Sequence, residues 1–202
     1  MTRAEHHEWT RAGMLRAAAA GGAAATSALV IGVRDGDGAS QAAPSREQDN
    51  AILNLFLRLE YAQEGFYRQA SNSKNLDGDL RTFARTVGPQ EAEHAALLRH
   101  RLGSDAAPRS DQPDVGNWLT SPRLFRQAAI DLEEAVIAAY IGEAANLTRG
   151  ALADVAPLVS VEARQVAWLR GLGRTTPAPR AADPARRPQA VLAQLRKLGF
   201  LA

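Results

Sequence analysis

Two segments of this 202-residue chain carry one polar signature inside an apolar helical stripe. In the first, Glu91 is followed three residues later by His94; in the second, Glu162 is followed three residues later by Gln165. That spacing places both members of each pair on one helix face. Their neighbours on those faces are Ala84, Val87, Ala95 and Leu98 in one segment, and Val155, Leu158, Val166 and Leu169 in the other. A single glutamate on an apolar face precedes each pair. Glu60 stands 31 residues before Glu91, among Leu53, Phe56 and Leu57, and Glu133 stands 29 residues before Glu162, among Ala129, Ile130, Val136 and Ile137. The chain therefore divides into two similar halves, each a helix with one glutamate, a turn, and a helix with Glu-x-x-His or Glu-x-x-Gln. A carboxylate inside an apolar interior is costly unless paired or metal-bound. Four of them, one per helix at matched depth, repel one another unless a cation lies among them.

Helical periodicity sets in near Arg46 and predicts helices over about 46–71, 78–102, 122–147 and 151–171. Ser71-Asn72-Ser73 and Asp77-Gly78 break the first pair, and Leu147-Thr148-Arg149-Gly150 reads as a tight turn in the second. The connection from Gly103 to Pro122 is long and holds Pro108, Pro113 and Gly116. Gly171-Leu172-Gly173 ends the fourth helix, as glycines at a helix terminus do. Pro89 and Pro157 fall inside the second and fourth helices, each removing one backbone hydrogen bond. Residues 174–189 contain four prolines and read as a linker before a short amphipathic helix near 188–199. Alternating runs and β-branched clusters are absent, so no strand is expected. The expected fold is all-α: an antiparallel four-helix bundle with a long crossover between helices 2 and 3, plus a short C-terminal helix.

Composition narrows the function classes. Net charge is +2, and lysine occurs only at 74 and 197. Arginine alternates with acidic residues along the helices, which describes solvated faces rather than a nucleic-acid surface. With no cysteine, a disulfide, a thiolate ligand and a cysteine nucleophile are all excluded. Residues 1–45 read as an export signal and linker: Arg3, Arg11 and Arg16 first, then the uncharged stretch Ala17–Val33, then small residues around Ser40-Gln41-Ala42. Thr10-Arg11-Ala12-Gly13-Met14-Leu15-Arg16 is similar to a twin-arginine export motif and departs from it at Ala12. The expected location is extracytoplasmic, with membrane association only if this segment stays uncleaved. Its removal would leave a chain without sulfur, since the only methionines are Met1 and Met14, which suits contact with O₂ or peroxide. The expected organisation is 1–45, then the bundle over 46–173, then the Pro-rich linker and C-terminal helix over 174–202.

Four carboxylates carry enough negative charge to balance two divalent metals at close range. An imidazole on each metal leaves positions open for O₂ or peroxide, and no protein nucleophile is needed because the metals carry the redox chemistry. Gln165 departs from this scheme. Its amide is a neutral, weaker ligand, so one position is expected to be weak, empty or filled differently, or Gln165 hydrogen-bonds a carboxylate instead. Glu64 lies one turn from Glu60 and is a candidate extra ligand or supporting group. Tyr61, Tyr67 and Tyr140 are candidate hydrogen-bond donors behind the ligands, or plain aromatic core. Glu134 shares its face with Gln127 and Asp131 and is expected in solvent, as is His100; His6 and His7 belong to the N-terminal segment.

These residues resemble the ferritin-like superfamily, which sets one Glu on each of two helices and Glu-x-x-His on each of two others. Leu59-Glu60-Tyr61, Glu64-Gly65-Phe66-Tyr67, Ala138-Ala139-Tyr140-Ile141-Gly142 and Val161-Glu162-Ala163-Arg164 resemble, more narrowly, exported bacterial ferritin-like domain proteins, a branch related to plant desiccation-related proteins. The similarity spans roughly 46–172. It implies a metal set of Glu60, Glu91, His94, Glu133 and Glu162, with Gln165 where histidine is expected. It also implies two iron ions, manganese being the alternative, reacting with O₂ or peroxide. A storage cage is not implied; a homodimer is compatible. A second reading stays open: a structural or stress-related bundle with a degenerate metal site, for which Gln165 and the Pro-rich tail speak.

Overall fold

The computed structural model describes residues 43–76, 78–109 and 113–201. The expectations for residues 1–45 fall outside this set, apart from its last three residues. Ser45 starts the first helix: its backbone is extended and its Oγ accepts the Gln48 N–H at 3.2 Å, satisfying one of the free donors of the first turn. From there α1 runs over Arg46–Asn72 and α2 over Gly78–Leu102. Ser121 caps α3, Pro122–Glu143, through the Leu124 N–H, with Pro122 at a first-turn position where a missing N–H costs nothing. Thr148 caps α4, Arg149–Leu172, and α5 spans Pro188–Lys197. All regular structure among the described residues is helical, as expected from the periodicity. None of the described helices is long and apolar enough to cross a membrane.

Polar contacts give the helix directions. At the start of α1, Asn50 and Asn54 bond Asp105, just past the end of α2. At the other end of α1, Ser73 and Asn75 bond the Leu119 carbonyl, just before α3. The crossover therefore returns along the full length of the bundle, and α3 runs parallel to α2. Buried Asp49, in the first turn of α1, accepts from both Thr148 N–H (2.8 Å) and Thr148 Oγ (2.6 Å), so α4 starts where α1 starts. Within the bundle α1 packs on α2 and α3, and α4 packs on α2 and α3.

Apolar stripes of all four helices fill the interior, with Phe56, Leu57, Phe66, Phe83, Phe125, Leu132 and Val136 fully buried. An aromatic cluster closes the end near the α1–α2 turn: Phe66 stacks near Phe125 (5.5 Å) and meets the edge of Phe200 (5.2 Å). Phe200 follows α5, which packs on α3 through buried Val191 and Leu195. The tail is tied down by backbone as well: Arg186 N–H bonds the Ala138 carbonyl at 2.9 Å, and Asp114 N–H bonds the Gly199 carbonyl at 2.9 Å. Gly142 makes this possible, because a Cβ there would lie 2.1 Å from the Arg186 carbonyl oxygen.

Candidate metal centre

Each helix brings one glutamate to the middle of the bundle: Glu60 from α1, Glu91 from α2, Glu133 from α3 and Glu162 from α4, all with no exposed surface. His94 and Gln165, one turn after Glu91 and Glu162, are also buried. The spacing of three residues aims each pair at the same interior point.

Two different environments result. On one side His94 Nδ1 faces Glu162 Oε1 at 3.0 Å, Glu91 Oε2 at 3.1 Å and Glu60 Oε2 at 3.3 Å. One ring nitrogen carries at most one proton, and here the hydrogen-bond geometry favours Glu91. Glu60 Oε2 and Glu162 Oε1 are left buried without a hydrogen-bond partner. One ligand atom from each of Glu60, Glu91, His94 and Glu162 lies within 4.8 Å of all the others. Three carboxylate oxygens and an imidazole nitrogen at such separations suit a divalent transition metal. The orphaned oxygens are what a cation would satisfy, so the residues fit the group.

On the other side amides replace that arrangement. Gln63, one turn after Glu60 and fully buried, donates from Nε2 to Glu162 Oε2 (2.7 Å) and Glu133 Oε2 (2.8 Å). Gln165 donates from Nε2 to Glu91 Oε1 (2.8 Å) and Gln90 Oε1 (3.1 Å). Tyrosines hold the outer oxygens: the Tyr140 hydroxyl donates to Glu60 Oε1 and the Tyr67 hydroxyl to Glu133 Oε1. Glu133 stays outside the His94 group of ligand atoms.

A family model for the ferritin-like domain matches residues 48–174, most of the chain. The chain belongs to the ferritin-like family. No curated protein matches it. Its place in the ferritin-like family accounts for the helix order and for one glutamate per helix, and Gln165 stands where the family's Glu-x-x-His pattern has histidine.

Electrostatics follow from burial. Desolvation raises the pKa of Glu60, and that of Glu91 and Glu133 well above the ordinary carboxylate range; the neighbouring Glu162 adds to each shift. For Glu162, burial also acts upward, but contacts with His94, Glu133 and Gln63 outweigh it, and its pKa is lowered. Burial alone would lower His94; the three carboxylates outweigh it, and the ring is pushed up to about 12. Tyr67 and Tyr140 are raised well above their usual value, chiefly by burial, and stay neutral donors.

Of the other residues singled out from sequence, Glu64 does not enter the cluster. It pairs with Arg68 at 3.1 Å and with Arg109, because its side chain points toward the crossover rather than the axis. Tyr61 lies under the Arg109 guanidinium (4.3 Å to the ring centroid), away from the carboxylates. Glu134 is half-buried and paired with Arg170, rather than simply solvated. His100 is exposed. Gln63 escaped the sequence reading, although Glu60–Gln63 repeats the spacing of Glu91–His94 and Glu162–Gln165.

Proposed function

We propose that this ferritin-like protein binds a redox-active divalent metal, iron or manganese, and carries out Fe(II)/O₂ or peroxide chemistry outside the cytoplasm. The observation that carries the reading is the convergence of Glu60, Glu91, Glu162 and His94, with two buried carboxylate oxygens lacking a hydrogen-bond partner. Glu60, Glu91 and Glu162 would supply oxygens and His94 its Nδ1. When bound, the metal would supply one-electron transfer to O₂ or peroxide.

The remaining residues define how the site is held. Tyr140 fixes the Glu60 carboxylate by holding its outer oxygen, so the inner oxygen faces His94. Gln63 does the same for Glu162. Full burial excludes bulk water and strengthens every charge interaction in the cluster. A cation competes with protons for His94 and for carboxyls whose pKa burial raises, so metal affinity is expected to rise with pH. Export rests on the composition of residues 1–45 alone.

The amides of Gln63 and Gln165 favour a second reading, a bundle whose chemistry is reduced and whose role is structural or stress-related. Metal loading separates the two. Anaerobic loading with Fe(II), then removal of free metal and elemental analysis, is expected to leave bound iron in the native chain. Glu91→Ala, which removes a ligand central to the set, is expected to lose that iron. A folded native chain that retains neither iron nor manganese would establish the structural reading instead.

A further inference from the structure

We propose that the carboxylate cage holds a single metal ion per chain, because Gln63 and Gln165 occupy the place of a second cation with their amide protons. This rests on the metal-binding reading above and specifies it.

The four glutamates present eight oxygens. Five are matched by tyrosine and glutamine donors. Tyr140 holds Glu60 Oε1 and Tyr67 holds Glu133 Oε1. Gln165 holds Glu91 Oε1, and Gln63 holds Glu133 Oε2 together with Glu162 Oε2. The three that remain, Glu60 Oε2, Glu91 Oε2 and Glu162 Oε1, all face His94 Nδ1. These three oxygens, of which only Glu91 Oε2 has the His94 hydrogen bond, therefore gather at one point and not at two.

Amide chemistry fixes the orientation of the two glutamines. Each NH₂ has two protons, and both are used: by Glu133 and Glu162 for Gln63, and by Glu91 and Gln90 for Gln165. Turning either amide over would press its carbonyl oxygen against acceptors, two carboxylates at Gln63 and the Glu91 carboxylate with the Gln90 amide oxygen at Gln165. The carbonyl oxygens of Gln63 and Gln165 accept no hydrogen bond, the cost of keeping the donors inward. An amide donor bridging Glu133 and Glu162 makes the link that a cation would make in a symmetric cage, without adding charge. With no imidazole at 165, no nitrogen lone pair competes for a second ion.

The test uses the full chain and Mn(II) alone. After loading and desalting, elemental analysis per folded chain is expected to give one manganese. Electron paramagnetic resonance is expected to show the hyperfine-split signal of an isolated Mn(II) ion. Two ions per chain with an exchange-coupled signal would overturn the single-ion assignment and leave metal binding standing. No bound manganese or iron would overturn both. The double variant Gln63→Ala/Gln165→His, which removes the bridging donor and adds an imidazole, is expected to double the count and produce exchange coupling. A folded double variant that still takes one ion would overturn the role given to the amides. If that variant does not fold, the native count and signal decide the matter.

Discussion

Glu60, Glu91 and Glu133 are held in the fold with pKa values above their ordinary value of 4.5, burial being the first cause. A carboxyl with a raised folded pKa binds its proton more tightly in the native state. Its contribution to stability is fullest below the unfolded value and declines as pH rises through the folded one. His94 has the same sign: its contribution is complete below 6.5 and is lost as pH climbs toward about 12. Glu162 runs the other way, losing its contribution only as pH falls below 4.5. Three carboxyls and the imidazole outweigh it. The melting temperature of chelator-treated protein is therefore expected to fall as pH is raised from about 5 to about 9, and added metal should flatten that slope. Calorimetry across that range checks this; a melting temperature that rises with pH would contradict it. At this scale the acidic residues were readable from sequence because each is a lone charge on an apolar face. Gln63 was not, because a neutral amide beside Ala62 and Glu64 gives no contrast in polarity. Its i+3 spacing from Glu60 was the one available signal.

At the scale of elements, caps and close approaches decide where helices stop and how they dock. The sequence placed the third helix to about 147 and the fourth from about 151. The structure ends α3 at Glu143, adds a 3₁₀ turn over Ala144–Asn146, and starts α4 at Arg149. The physical reason is Thr148, whose hydroxyl accepts the Ala151 N–H while its own N–H and hydroxyl donate to Asp49. That contact joins residues 99 apart in sequence, and no local pattern announces it. Asp49→Ala should remove both bonds and destabilise the chain by about 1–3 kcal/mol, read as a lower urea midpoint with unchanged slope. Gly142→Ala should cost about 1–3 kcal/mol, since the new methyl meets the Arg186 carbonyl. A neutral result at Gly142 would mean the C-terminal segment does not lie against α3.

At the largest scale, the described residues form a ferritin-like bundle with its C-terminal segment folded onto α3. The four-helix plan was available from sequence because amphipathic periodicity and loop length are local properties. The docking of the tail was not: Pro-rich composition marks residues 174–189 as extended but says nothing of the surface they follow. Val191, Leu195, Phe200 and Leu201 are buried there, and each such side chain contributes about 1.5–3 kcal/mol. Truncation after Gly173 is therefore expected to lower the melting temperature by about 10 °C or more. A truncated chain that melts with the full-length protein would show the tail to be dispensable.

Everything proposed here turns on Glu60, Glu91, Glu162 and His94 holding a metal. The decisive measurement is anomalous scattering from a crystal of iron- or manganese-loaded protein, collected at the metal edge. A peak is expected in the bundle interior, in contact with His94 Nδ1 and the facing oxygens of the three glutamates. A loaded crystal with no peak there, or with its metal bound only at surface carboxylates, would contradict it.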